Sequence, residues 1–314
     1  MKKGLLRFGV AVLIVLASVA VVDVAVGKVM DWMLPQISNQ GDTGKSYFSL
    51  YEVNSPIVIV GSSRASHHYV TQMIEEATGI PTWNVGRNGC YFSHNCCVVN
   101  TIIERYSPKL IIWENDMNFL FEDSSDPLES LFPYYDKNEY ITKVIDENVP
   151  STESFSLHSR LYQYNSTIQR IMIRYANRKN HSDERLKGFE PMPNKKHITP
   201  LVKDESSKSK KGVSEIKVER LRNTICRVKD KGIQLVIVDS PKYIEQSSEN
   251  NSKATMISIC NEYNIPIIDN TQLEDIVAHP EFFYDRMHLN ENGAKAYTKL
   301  FLDQLQSIGV TIFQ

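Results

Sequence analysis

A chain of 314 residues suits one large domain or two smaller ones. Hydrophobic residues at 42% and charged residues at 23% are ordinary for a protein with a packed core, and neither repeats nor glycine- or proline-rich tracts suggest a fibrous or disordered chain. A net charge of −2 gives no electrostatic reason to expect nucleic acid as a partner.

Lys2, Lys3 and Arg7 precede an apolar run from Phe8 to Val22, which Asp23 interrupts and Val24 to Gly27 resume. The basic flank predicts an N-terminus inside the cytoplasm and the remainder outside. A spanning helix needs about 20 residues, so Asp23 must sit near the interface, where Trp32 is also at home. Residues 1–30 therefore read as a single-pass anchor in the inner membrane, with the rest of the chain on the periplasmic, extracytoplasmic side. A cleavable signal peptide is the alternative, with Ser18-Val19-Ala20 as its cleavage site. Residues 31–54 read as a stem with weak local structure.

Beyond it, Ile57-Val58-Ile59-Val60 has the β-branched, apolar character of a buried parallel strand, and Gly61-Ser62-Ser63 turns it into a helix over 64–78. Val70, Ile74 and Ala77 form that helix's inner stripe. Strand 82–86, helix 93–106 and strand 109–113 follow. From Leu120 to Gly212 the alternation is lost. This insertion carries short helices near 139–147 and 160–175, then a lysine-rich stretch over 179–211 that reads as solvated surface or, in the sharper reading, a mobile lid or a patch for an anionic partner. The alternation returns with helix 213–231 (Ile216, Leu221, Ile225 and Val228 inward), strand 233–238, helix 253–263 and strand 265–269. A last helix has Asn290 as its cap and Ala294, Tyr297, Phe301, Leu305 and Ile308 on one stripe. The expected fold is α/β, a flavodoxin-like three-layer parallel sheet of about five strands, with residues 55–314 forming the domain and an insertion at about 120–212.

Cys90, Cys96, Cys97, Cys226 and Cys260 match no zinc spacing, and their odd number argues against a disulfide framework; they read as small buried apolar side chains. His67 and His68 have no acidic or cysteine partner at metal-ligand spacing and read as surface or substrate-rim residues. No metal or cofactor is expected. Arg64 suits either a substrate anion or a salt bridge. Glu114 and Asp116 suggest a carboxylate pair for glycoside cleavage, against the reading that one of them anchors a loop, and Tyr91 and His94 are candidates for lining a pocket.

Asp285 and His288, three apart just before a helix, suit a carboxylate that fixes an imidazole tautomer. With Ser63, Gly89 and Asn115 they all follow strands, at the sheet edge where open parallel sheets bind ligands. Gly61-Ser62-Ser63, Asn84 with Gly89 five residues on, Trp113-Glu114-Asn115-Asp116 and Asp285-x-x-His288 together resemble the four motifs of the SGNH (GDSL-type) hydrolase superfamily, with Trp113 standing where that family has glycine. The resemblance covers about 55–120 and 213–308 and implies a nucleophile at Ser63, a base at His288 oriented by Asp285, and oxyanion donors at Ser63, Gly89 and Asn115. It leaves Arg64, His67 and Tyr91 as substrate-rim candidates. The Gly-Ser-Ser-Arg variant and the anchor look like membrane-tethered branches that move acyl groups to or from envelope polysaccharides. The implied function is a serine esterase or O-acyltransferase acting on acylated envelope carbohydrate or another ester, with a multi-pass membrane acyltransferase as a potential partner. A non-catalytic protein of the same fold that binds or assembles polysaccharide is the alternative.

Overall fold

In the computed structural model, which describes residues 2–178, 184–194, 212–244 and 250–310, the N-terminal apolar run is one helix, α1 (Lys2–Met33). A helical stretch from Lys3 to Ile37, whose most apolar 18 residues have a mean hydropathy of 2.7, is long and apolar enough to cross a membrane. Residues 31–54, expected to be weakly structured, are largely helical: a 3-10 turn spans Leu34–Ile37 and α2 spans Gly41–Tyr51. Pro35, which lacks the N–H that would extend α1, marks the change.

The alternating elements follow as β1 (Ile57–Val60), α3 (Ser63–His68), α4 (Thr71–Thr78), β2 (Thr82–Asn84), α5 (Phe92–Arg105) and β3 (Leu110–Glu114). Helices α6 (Glu139–Asn148), α7 (Ser151–Ser156), α8 (Arg160–Tyr164) and α9 (Ile168–Ala176) occupy the first part of the insertion. The rest is α10 (Glu215–Asp230), β4 (Gln234–Asp239), α11 (Asn251–Glu262), β5 (Ile267–Asp269), α12 (Glu274–Val277) and α13 (Glu291–Ser307). All five strands are parallel, in the order β2-β1-β3-β4-β5, with Ile57 opposite Leu110 and Val60 opposite Trp113. This is the doubly wound α/β fold expected, and strand order reverses between β1 and β3.

One sheet face buries Ile57, Ile59, Leu110, Ile112, Val236 and Val238 against Tyr69, Ile74, Tyr297 and Phe301 of the α3–α4 and α13 layer. On the other face, Trp113 stacks on Phe92 of α5 with ring centroids 6.1 Å apart, and α10 packs on α5. The helix expected over 64–78 is two. Tyr69 and Val70 leave the helical region, because the Val70 N–H is taken by Thr298 Oγ1 at 3.0 Å and the buried Tyr69 hydroxyl by Glu114. Two inward stripes end sooner than expected. Ile216, in the first turn of α10, is 51% exposed, and Ile308, past the end of α13, is 39% exposed. Ala77 is exposed too. Four of the five cysteines are buried and Cys226 is half-buried, all with free thiols.

The chain divides into two compact units, residues 1–47 with 128–180 and residues 48–127 with 181–314. The stretch 120–212 is thus not one block. Its helical part belongs with the N-terminal helix, and residues 184–194 belong with the sheet. Most of the lysine-rich stretch, residues 195–211, lies outside the described residues. In the first unit Asp23 accepts hydrogen bonds from Ser159 Oγ (2.6 Å) and the N–H groups of Arg160 (2.9 Å) and Leu161 (2.8 Å). Asp31 is held by Lys137, Arg160 and Tyr164. The acidic residue that interrupts the apolar run therefore accepts the free N–H groups at the start of α8.

Candidate active site

β1 ends at Val60, and the chain turns against β3 at Gly61. A Cβ at Gly61 would lie 2.7 Å from the Glu114 carbonyl oxygen and 2.8 Å from Ala65 Cβ, so only glycine fits. Ser62 follows as the N-cap and Ser63 as the first residue of α3. With six residues, α3 lends Ser63 less dipole assistance than a longer helix would.

Ser63 Oγ lies 2.7 Å from His288 Nε2, and His288 Nδ1 lies 2.9 Å from each oxygen of Asp285. Asp285 Oδ1 also accepts the N–H groups of Met287 (2.8 Å) and His288 (2.9 Å). Burial alone would raise the Asp285 carboxyl, but these bonds and the imidazole outweigh it and hold it below the usual carboxylate value. An ionised carboxylate only accepts. Nδ1 therefore carries the proton, and the Nε2 lone pair faces the Ser63 hydroxyl. At 20% side-chain exposure for His288 and 44% for Asp285, the line opens to solvent.

A second set of bonds holds the loop that carries His288. Leu289 N–H donates to His68 Nε2 at 3.0 Å, so His68 Nδ1 bears the proton and donates to Ser240 Oγ at 2.7 Å. Ser240 Oγ in turn donates to Glu114 Oε1 at 3.0 Å. Complete burial, with Arg64 nearby, pushes His68 well below the usual imidazole value and keeps it neutral. His68 is therefore buried rather than on the surface, and it bonds the loop that carries His288. His68→Phe, which removes the acceptor for Leu289, is expected to lower kcat for an aryl ester by about 10²-fold with little change in KM. Steady-state kinetics check this; an unchanged kcat would remove the positioning role.

Arg64 is 3% exposed and lies beneath the rim, not on it. Its guanidinium pairs with Asp239 and lies 3.1 Å from both Glu114 and Asp116, while the buried Lys242 ammonium lies 3.0 Å from Asp116 and 3.4 Å from Asp239. The three carboxylates come from the ends of β3 and β4, and this network is the floor under Ser63. Burial would raise Asp116, but Lys242 and Arg64 hold it well below the usual value. Glu114 is pushed up by burial and by neighbouring Asp239, against the pull of Arg64. The salt-bridge reading of Arg64 and the loop-anchoring reading of the carboxylate pair match this geometry.

Asn84 ties the β2 loop to α3, its amide donating to the Ala65 carbonyl (2.6 Å) and its oxygen accepting the Gly86 N–H (2.9 Å). Gly89 follows, exposed and at φ +67°. Asn115 differs from expectation. It continues the β3 alternation on the Trp113 side, away from Glu114, and is fully buried, with its amide 3.7 Å from Met256 Sδ. Its oxygen has no hydrogen-bond partner among the described residues. Trp113 fills this same side of the sheet.

His67 is also buried rather than on the surface. Its Nδ1 lies 2.6 Å from the Glu190 carbonyl oxygen, its Nε2 3.1 Å from Asn88 Oδ1, and its ring meets that of His288 edge to face at 5.5 Å. Tyr91 is half-buried against Phe119. His94 is fully buried, and that burial, with Arg87, pushes its imidazole down to about 3, so it lines core and not an open pocket.

Glu190 escaped sequence reasoning. The Asn84 N–H bonds the Lys187 carbonyl and the Glu190 N–H bonds the Ser66 carbonyl, each at 2.9 Å, while the Met192 carbonyl accepts the Glu291 N–H. The segment thus runs from β2 past α3 to the start of α13, and Asn88 donates to the Glu190 carboxylate at 3.3 Å. The available signal was Gly188-Phe189 in an otherwise polar stretch. Gly188 has φ +85° and sits where a Cβ would strike the Asn84 carbonyl, and Phe189 is buried in the core.

No protein-family model matches the sequence, and comparison with curated proteins finds no match. Among solved structures, the chain is similar to the lipase/acylhydrolase from Enterococcus faecalis, at 10% identity and a TM-score of 0.39, over 80% of this chain and 95% of that one.

Proposed function

We propose that this chain is a membrane-anchored, extracytoplasmic serine esterase or O-acyltransferase acting on acylated envelope carbohydrate. The observation that carries the reading is the unbroken hydrogen-bonded line Ser63–His288–Asp285 at the switch point of a parallel sheet. In the proposed reaction His288 takes the Ser63 proton as Oγ attacks the ester carbonyl carbon. Asp285 keeps the imidazole in the accepting tautomer and stabilises its charged form. The N–H groups of Ser63 and Gly89 receive the oxyanion, each worth on the order of 3 kcal/mol in the transition state. Collapse breaks the ester bond, and His288 returns its proton to the departing alcohol. Water or a sugar hydroxyl, deprotonated by His288, then attacks the acyl-enzyme and frees Ser63. A multi-pass membrane acyltransferase would be a suitable acyl donor for the transfer version. The buried Arg64 and His67 are left out of this scheme as substrate contacts, and the half-buried Tyr91 is kept as a rim group.

The turned-away amide of Asn115 favours a second reading, a non-catalytic protein of this fold that binds polysaccharide. Incubating the detergent-solubilised full chain with a per-O-acetylated hexose separates the two. Free acetate marks an esterase, and acetyl appearing on an added oligosaccharide marks a transferase. Saturable binding with no change in the sugar overturns catalysis in favour of the second reading.

A further inference from the structure

The first unit carries an apolar surface that no catalytic reading uses. α1 is bare of protein along its apolar length, with Leu13, Ile14, Leu16, Val19 and Val22 each more than half exposed. One turn beyond Val19 comes Asp23, whose carboxylate takes Ser159 Oγ and the backbone N–H groups of Arg160 and Leu161. These bonds pin the start of α8 to a fixed height on α1. Leu161 then reaches back toward the N-terminus of α1 rather than away from it. A groove of about 330 Å³ between the two helices is lined by Ser18, Val19, Val22, Asp23, Ser159 and Leu161. At a rise of 1.5 Å per residue, Val19 lies ~6 Å deeper along α1 than Asp23. Leu161 is 46% exposed, and Phe155 on α7 is 78% exposed. Both also line a neighbouring depression of about 650 Å³ with Tyr162 and His158.

Resting on the anchored reading above, we propose that the elbow formed by α7 and α8 is a membrane foot. Its Leu161 and Phe155 side chains sit among lipid acyl chains at the extracytoplasmic interface, beside α1. The choice of lipid as occupant follows from continuity. The groove wall made by Ser18, Val19 and Val22 is part of the same apolar surface that crosses the bilayer, so whatever fills the groove from outside α1 lies at acyl-chain depth. Tyr162 beside it supplies the amphipathic aromatic edge that membrane interfaces favour. Such a foot would fix α8 to the bilayer and suppress rotation of the anchor about its own axis.

The test places a nitroxide on single cysteines in the full chain, in nanodiscs of phosphatidylcholine and phosphatidylglycerol. Cys226, the half-buried native thiol, is replaced by serine. Labels go to Val12→Cys on α1, Phe155→Cys, Leu161→Cys and, as an aqueous reference, the exposed Glu76→Cys on α4. Power-saturation measurements compare collisions with oxygen, which partitions into lipid, and with a water-soluble nickel chelate. The foot predicts loss of nickel collisions and gain of oxygen collisions at 155 and 161, in the direction of site 12 and opposite to site 76. Lipid-like behaviour at 12 with water-like behaviour at 155 and 161 overturns the foot and leaves the anchor standing. Protection of 155 and 161 from both reagents also overturns it, because a protein then covers the surface. Water-like behaviour at 12 overturns the anchored reading itself.

Discussion

His288→Ala is expected to lower turnover of a simple aryl ester by on the order of 10³- to 10⁶-fold. The Ser63 hydroxyl is a poor nucleophile until its proton has somewhere to go, and His288 Nε2, 2.7 Å away, is the acceptor placed to receive it. Ser63→Ala is expected to do the same damage, and the double variant Ser63→Ala/His288→Ala no more than either alone, because the pair acts as one unit. Additive losses would mean that the two groups act separately. The pH profile carries the same logic. An imidazolium cannot accept the serine proton, so activity falls on the acid side. Asp285 is held below the usual carboxylate value, so it stays ionised to lower pH than an ordinary carboxylate and keeps its hold on the imidazole. Activity that does not fall in acid would count against His288 as the base.

The largest effect on stability is expected from Arg64→Met. Among the described residues, the guanidinium is the one group that touches all of Asp239, Glu114 and Asp116, each with little or no exposure. Without it, buried carboxylates face Lys242 alone. Removing one partner of such a buried set costs about 3–5 kcal/mol, because the remaining charges keep their desolvation penalty. Thermal unfolding should show a fall in Tm of roughly 10 °C. The half-exposed pair of Arg222 and Glu262, lying 2.6 Å apart, should lose little when Arg222 is replaced by methionine, since solvent screens it. The sign with pH is also set. Asp116 is depressed in the fold, so its contribution is fully present above the ordinary carboxylate value and is lost as pH falls through its lowered one. The Arg64→Met penalty should therefore shrink in acid. Glu114 is raised by burial and Asp239, so its own contribution is present in acid and lost as pH rises through its folded value. Arg64 nonetheless pulls it down as it does Asp116, so the loss of Arg64 costs least in acid through both carboxylates. A penalty that grows in acid would contradict the pairing of Arg64 with these carboxylates.

Much of the sheet was legible from sequence because parallel strands buried on both faces read as apolar runs, as in Ile57–Val60 and Leu110–Glu114. Asn290 was legible as a cap because its side chain does what a cap must, accepting the Gly293 N–H at 3.0 Å. The break in the helix at Tyr69 was not, since it depends on Glu114 and Thr298, residues distant in sequence. His67 and His68 were misplaced for a related reason. Two adjacent histidines look polar, but each finds buried partners, Glu190 and Asn88 for one, Leu289 and Ser240 for the other. Asn115 shows the limit of motif spacing. The Asn-Asp pair stands at a strand end as expected, yet the two-residue period of the strand aims the amide at Met256. Residues 31–54 are largely helical, against the expectation of weak local structure.

The most direct measurement is the site of covalent modification by a fluorophosphonate. Reaction of the full chain with the probe, followed by proteolysis and tandem mass spectrometry, should find the phosphonyl group on Ser63, lost in both Ser63→Ala and His288→Ala. An unmodified Ser63, or labelling that survives Ser63→Ala unchanged, would contradict the assignment of Ser63 as the nucleophile.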